Sequence, residues 1–175
     1  MWRQPRWTRW LPGRVVINIA TLGPLGRLPA PGTWGSLAGI AWYAVACHPS
    51  GWLGSTIITA AGLYLAFALC GEAEKRLAKI DPPEVNLDEF ASIPLVFLGL
   101  RDVFATGPVW LLLALGFALF RFFDIVKPLG IHRLQRFVGG AGVLLDDVAA
   151  ALASCAVLHV AVRLTPLLEW VRGWG

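Results

Sequence analysis

Long apolar runs alternate with short polar stretches along this chain, and the charges collect in the polar stretches. Residues 13–36 are rich in Gly and Pro, and Thr33 or Ser36 stands where an N-cap belongs for an apolar helix reaching about Cys47. His48-Pro49-Ser50-Gly51 reads as a turn. Trp52 to Cys70 follows as 19 residues without a charge, the best membrane-spanning candidate in the chain. A polar stretch, 71–88, carries the charged patch Glu72 to Lys79 and the breaker Asp81-Pro82-Pro83. Phe90 to Leu100 is apolar but short, Arg101-Asp102 reads as a second turn, and Val103 to Phe120 is apolar apart from the break at Gly107-Pro108. The polar stretch 121–142 ends in Gly139-Gly140-Ala141-Gly142, and Val143 to Leu164 is apolar except at Asp146, Asp147 and His159.

Strand-like alternation and internal repeats are both absent, so the pattern predicts an all-α protein. The segments 36–47 and 90–100 are too short to cross about 30 Å of hydrocarbon as straight helices. They are expected to be tilted, re-entrant or extended by flanking polar residues, which gives three to five spans. Composition turns this pattern into a class. Hydrophobic residues make up 57% of the chain and charged ones 15%, with a mean hydropathy of +0.64. Soluble domains hold about 45–50% and about 25%. Nine tryptophans suit a protein that meets lipid headgroups. The expectation is one all-α domain, residues 1–175, inserted in the membrane as a polytopic protein with short or re-entrant helices. A soluble bundle with an unusually apolar core is the competing reading.

Charge placement refines the picture. Arg3, Arg6, Arg9 and Arg14 share residues 1–14 with Trp2, Trp7 and Trp10, a mixture suited to an anionic membrane surface. No nucleic-acid module follows, so nucleic acid is not an expected partner, and no cleavable signal pattern is present. Cys47, Cys70 and Cys155 form no CxxC pair and read as free core thiols. If the turns at 48–51 and 101–102 face one side, the N-terminus, 71–88 and 121–142 face the other. That second side holds twelve of the fifteen basic residues, which places it in the cytoplasm by the positive-inside rule.

The candidate chemistry lies on the same side. Asp88, Glu89, Asp124, Asp146 and Asp147 all stand at junctions between polar stretches and apolar runs. Ionised carboxylates at membrane depth cost several kcal/mol unless paired or bound to a cation. Mg²⁺ favours carboxylate and water oxygens, and it would polarise a phosphoryl oxygen and orient a water for in-line attack. Salt bridging is the plainer alternative, since Arg121, Asp124 and Lys127 fall on one helical arc. Arg121 and Lys127 are the cations best suited to a phosphate. Two Gly-rich turns, one with Thr33 and Ser36 and one with Gly139 and Gly140, offer backbone N–H groups to an anion. His132 and His159 lack partners at metal or triad spacing, and His159 reads as a packing residue.

Four blocks in order resemble the bacterial phosphatidylglycerophosphatase A family. They are Pro31-Gly32-Thr33-Trp34-Gly35-Ser36-Leu37, Asp88-Glu89-Phe90, Phe120-Arg121-Phe122-Phe123-Asp124-Ile125-Val126-Lys127-Pro128, and Gly139-Gly140-Ala141-Gly142-Val143-Leu144-Leu145-Asp146-Asp147. The resemblance implies Mg²⁺-dependent removal of the terminal phosphate from phosphatidylglycerophosphate at the bacterial inner membrane. It also implies a compact helical bundle and metal or catalytic roles for Asp88, Glu89, Asp124, Asp146 and Asp147, with Asp88, Glu89, Asp146 and Asp147 as metal ligands. The chain departs from the family pattern at Ser92, Gly130, Gln135 and Ala151, none of them a candidate ligand. Histidine-nucleophile, Asp-x-Asp and CDP-alcohol phosphotransferase motifs are absent. From another class, a cation or proton transporter could use acid pairs as a relay, but that predicts acids near mid-helix on several spans. Either a water or an aspartate could serve as nucleophile.

Overall fold

The computed structural model describes residues 4–128, 131 and 140–164, and among them every regular element is helical. A 3₁₀ turn, Arg6–Trp10, leads into α1, Gly13–Ala20, and a second one, Gly23–Arg27, leads into α2, Pro31–Trp42. A π-helical turn, Tyr43–Cys47, extends α2 towards α3, Gly51–Leu77. Then come α4, Leu87–Val96, α5, Arg101–Thr106, α6, Val109–Val126, and α7, Gly140–Leu164.

Three helices are long and apolar enough to cross a membrane: Gly51–Leu77, Val109–Val126 and Gly140–Arg163. At 1.5 Å per residue the shortest of them, α6, still reaches about 27 Å. Large apolar side chains stand exposed along these helices, among them Trp52, Ile57, Trp110, Ile125 and Val160. On a soluble protein such a surface would be an aggregation liability, whereas in lipid it is the contact face. The chain is a membrane protein. Of the two short segments anticipated from the sequence, 36–47 is lengthened by its flanking residues into the helical stretch 31–47, whereas α4 stays short, with ten residues, about 15 Å, and packs chiefly on α2, α3 and α7.

The long apolar helices continue into the polar stretches, as the helical spacing of their charges suggests. Helix α3 runs through the charged patch to Leu77, and α6 continues through Arg121 and Asp124 to Val126. At membrane depth a backbone carbonyl has no water to bond, so the chain stays helical until it clears the hydrocarbon. Helix α1, unmarked in a Gly- and Pro-rich region, forms because Pro12 precedes a run of residues whose Val16 and Ala20 bury against α3. Arg101 and Asp102, expected in a turn, open α5 instead.

Two expected helix starts move. Helix α2 begins at Pro31, with its ring at the first helical position and Ala30 in the left-handed conformation before it. Thr33 and Ser36 therefore lie inside the helix, and the Ser36 hydroxyl donates back to the Gly32 carbonyl at 2.8 Å. Helix α7 already includes Gly140, which puts Asp146 and Asp147 beyond its first turn and removes the dipole explanation for them. Gly139 lies outside the described residues. The glycine at 140 is needed for packing, because a Cβ there would land on the Phe67 carbonyl of α3. Small residues at such crossings let backbones approach in a bundle that gains nothing from excluding water.

The N-terminal segment divides between bundle and surface. Thr8 is fully buried, and Arg76 of α3 donates to the carbonyls of Leu11 and Thr8 at 2.9 and 3.0 Å while pairing with Glu72. Trp10, Arg6 and Arg9 remain exposed. Cys47, Cys70 and Cys155 are free and buried.

Candidate active site

Five elements bring their ends to one place. The starts of α2, α4 and α7 meet the ends of α3 and α6, and a cavity of about 330 Å³ lies between them. Carboxylates dominate its wall: Asp88 and Glu89 from α4, Asp124 from α6, Asp146 and Asp147 from α7, and Asp81 from the connection after α3. Two cations, Arg121 and Lys127, face them. The five acids singled out in the sequence thus share one cavity, a convergence that mid-helix relay acids would not give.

Arg121 organises one side. Its Nη1 donates to Asp124 Oδ2 at 2.7 Å, Glu89 Oε1 at 3.2 Å and Ser36 Oγ at 3.3 Å. Three helices are tied through one guanidinium, which lies about 7 Å short of the end of α6. On the other side Lys127 bonds Asp146 Oδ2. Lys127 closes α6 in a left-handed conformation, and this turns it towards α7. Burial alone would lower the Lys127 ammonium, but the hydrogen bond and charge of Asp146 outweigh burial and raise it.

Helix α2 comes against α4 on glycines. A Cβ at Gly32 would fall on Glu89 Oε1, and one at Gly35 would lie 2.7 Å from the Asn86 carbonyl oxygen. Asn86, fully buried, fixes the entry to α4: its amide donates to the Pro31 carbonyl at 3.1 Å and its backbone N–H to the Ala20 carbonyl at 3.0 Å. The Gly-rich block around Gly32 therefore seats Glu89 closely. Ser36 reaches Arg121, whereas Thr33 and Gly140 do not line the cavity.

Electrostatics show a surplus of negative charge. Burial, then the charge of Asp124, raise the Glu89 carboxyl to about 8 against the pull of Arg121. Burial, then Glu89, raise Asp88 well above its ordinary value. Six carboxylates against two cations would repel one another without a further positive charge. Glu89 Oε2 and Asp146 Oδ1 are moreover buried without a hydrogen-bond partner. Orphaned carboxylate oxygens beside an acid-lined cavity fit a hard divalent cation. Among the described residues no three acidic, His or Cys side chains are gathered as a ready-made cage. Mg²⁺ does not require one, since it commonly takes one or two carboxylates and completes its shell with water and substrate phosphate.

Sequence reasoning passed over two contributors. Asp81 was treated only as part of a breaker, and Asn86 was not singled out. The Asp81-Pro82-Pro83 run carried a signal, because two prolines stiffen a connection that lines the cavity. Ala30, Asp81 and Lys127, three of the five non-glycine residues with positive φ among the described residues, line it as well. Each costs about 1 kcal/mol or more, and such strain tends to gather at functional sites.

Comparison with known proteins gives a consistent result. Residues 18–162 match the family model described as phosphatidylglycerophosphatase A. Proteins named phosphatidylglycerophosphatase A from Haemophilus influenzae and Escherichia coli are 37% and 33% identical to the chain. The alignments cover 74% of this chain in both cases, with 77% and 72% of the respective relatives. A Bacteroides thetaiotaomicron protein provisionally named a phosphatidylinositol-3-phosphatase is 37% identical over 82% of this chain and 86% of its own length. No solved structure matches the chain.

Proposed function

This chain belongs to the phosphatidylglycerophosphatase A family and is a phosphatase, and from that premise we propose that it hydrolyses phosphatidylglycerophosphate with Mg²⁺. The observation that carries this reading is the meeting of Asp88, Glu89, Asp124, Asp146 and Asp147 with Arg121 and Lys127 on one cavity at the ends of apolar helices. A lipid anchored by its acyl chains can present a terminal phosphate there without leaving the membrane.

Asp88, Glu89, Asp146 and Asp147 would hold the Mg²⁺, with the unpartnered Glu89 Oε2 and Asp146 Oδ1 as its first contacts. When bound, the ion supplies positive charge that polarises the phosphoryl group and orients a water for in-line attack. Lys127 and Arg121 carry the remaining charge of the phosphate, Lys127 as a point charge and Arg121 through its fork. Asp124 keeps Arg121 aimed at the cavity through its 2.7 Å contact. Water adds to phosphorus as the bond to the glycerol oxygen breaks. The proton released from the attacking water passes to a cavity carboxylate, and one is returned to the departing oxygen. Phosphatidylglycerol and inorganic phosphate leave.

The site is assigned to the cytoplasmic side of a bacterial inner membrane, on the strength of the twelve basic residues that share its side of the chain. Cysteine at Glu84, in a chain whose native cysteines are replaced, should resist an impermeant thiol reagent in intact cells. It should label once the membrane is opened, while cysteine at Ser50 labels from outside.

The decisive assay is phosphate release by the purified protein in detergent. Phosphatidylglycerophosphate should be turned over with Mg²⁺, and EDTA should abolish the release. Phosphatidylinositol-3-phosphate belongs in a parallel tube, given the name of the Bacteroides relative. No release from phosphatidylglycerophosphate would end the substrate assignment, and undiminished release in excess EDTA would end the metal assignment.

A further inference from the structure

Beside the acid-lined cavity lies a second and larger one of about 810 Å³, formed between α1, the Gly23–Arg27 turn and the end of α3. Its character is opposite. Arg14 and Arg27 supply the charge, and Val15, Ile17, Ile19 and Leu77 supply apolar wall. Its one acid, Glu84, pairs with Lys79, which together with its own backbone N–H holds that carboxyl below its ordinary value. Neither arginine makes a hydrogen bond or ion pair with a described residue, and both are exposed.

Depth identifies the occupant. Leu77 ends a helix long and apolar enough to cross a membrane and follows its charged last turns, Glu72 to Arg76, which suits the groove to the headgroup layer. Helix α1 buries Val16 and Ala20 against the bundle and leaves Val15 and Ile19 exposed next to Arg14. Free guanidinium groups above exposed aliphatic side chains match a phosphate ester above acyl chains. Trp10 and Arg9, exposed on the preceding turn, sit at home in the same layer.

We propose that this groove is a binding site for an anionic glycerophospholipid of the surrounding bilayer, with its phosphate between Arg14 and Arg27 and its chains against Val15, Ile19 and Leu77. The site is separate from the catalytic cavity and does not depend on the reaction assigned to it. The connection after α3 forms a wall between the two: Glu84 faces the groove, while Asp81, Pro82, Pro83 and Val85 face the acids.

Lipid retention by the full chain tests this. The protein is reconstituted in nanodiscs of phosphatidylcholine with a minor share of phosphatidylserine, an anionic lipid unrelated to the proposed reaction, then extracted and weighed by native mass spectrometry. Retained lipid should be enriched in phosphatidylserine roughly tenfold over its share in the disc. Arg14→Gln/Arg27→Gln should bring this close to parity with an unchanged circular dichroism spectrum. Arg6→Gln/Arg9→Gln removes the same charge from the neighbouring turn and should leave enrichment intact, as should Lys127→Gln in the catalytic cavity. No enrichment in the unaltered chain would overturn the proposal, as would equal loss in both arginine pairs, which would mean only a diffuse field. Loss in Lys127→Gln would put the lipid in the catalytic cavity and overturn it too. So would displacement by inorganic phosphate at millimolar concentration, which would make the groove a soluble-anion site.

Discussion

At the end of the bundle away from the acids, Tyr43 stacks on Phe97 at 4.5 Å between ring centroids, and Phe104 closes on both at 5.6 Å. Polar side chains there serve the backbone. Cys155, His159 and Arg163, spaced four apart along α7, donate to the carbonyls of Leu98 and Gly99 where α4 ends. Arg101 likewise donates to the His48 carbonyl at 2.7 Å. Burial and the nearby Arg101 lower the His48 imidazole below its ordinary value. Among the described residues, four buried polar atoms at the acid-lined end lack a hydrogen-bond partner, Glu89 Oε2, Asn86 Oδ1, Arg121 Nε and Asp146 Oδ1, against His48 Nδ1 alone beside the aromatic cluster. One end is closed by aromatic packing and side-chain bonds to the backbone, and the other gathers charged groups that the protein itself leaves partly unpaired. Their contrast predicts that substitutions at the two ends will separate activity from stability.

The largest effect is expected at the acid pair. Asp146→Asn and Asp147→Asn keep shape and remove charge, and at least one should lower kcat about 10³-fold or more. Thermal unfolding in detergent should stay level or rise for Asp147→Asn, which removes a buried negative charge, and fall for Asp146→Asn, which leaves Lys127 without its ion pair. Normal turnover by both variants would reduce the pair to a structural role. Next comes Phe97→Ala at the opposite end. Emptying a fully buried aromatic position should cost about 3–5 kcal/mol of stability, with kcat per folded molecule unchanged.

Gly32→Ala probes the join between the two behaviours. Alanine favours the helix, so stability should move little, yet its Cβ displaces the Glu89 carboxylate. Activity should fall about 10²-fold, as expected for a shift of about 1 Å in a catalytic group. An equal loss of stability and activity would show that the glycine serves packing alone.

A smaller effect follows from Glu89 in the metal-free protein. Its carboxyl is raised from 4.5 to about 8, so between those values the folded chain keeps a proton that the unfolded chain has lost. Stability in EDTA should therefore fall as pH rises through that window, and Glu89→Gln should flatten the slope. A melting temperature that climbs from pH 5 to pH 8 would contradict the raised value. The smallest effect belongs to Asp102→Asn, which breaks an exposed contact with Arg163 at 3.3 Å. Less than about 1 kcal/mol should be lost.

The sequence alone carried the class of protein and singled out the five acids that the fold brings to one cavity. An apolar run such as Trp52 to Cys70 has few stable destinations outside lipid, and a carboxylate embedded in such runs needs a stated reason to be there. Asp146 and Asp147 were therefore legible as chemistry before any fold was known. Helix ends were less legible. The first charge after an apolar run, Arg121, suggested the run's end at Phe120, whereas the backbone at that depth stays helical to Val126 for want of water. Tertiary structure alone decided the partnerships, because each joins residues far apart in the chain. Arg121 reaches Ser36 and Glu89 only once α2, α4 and α6 are packed, and Gly32 reveals its purpose only where Glu89 comes against it. The sequence also left open how Asp81 and Asn86 contribute, since a breaker and a lone amide are ordinary until the elements around them close a cavity. Local patterns mark where the long apolar helices run and which carboxylates stand at their ends. Which of them face one another depends on the close approach of backbones, and that is settled by packing across the bundle.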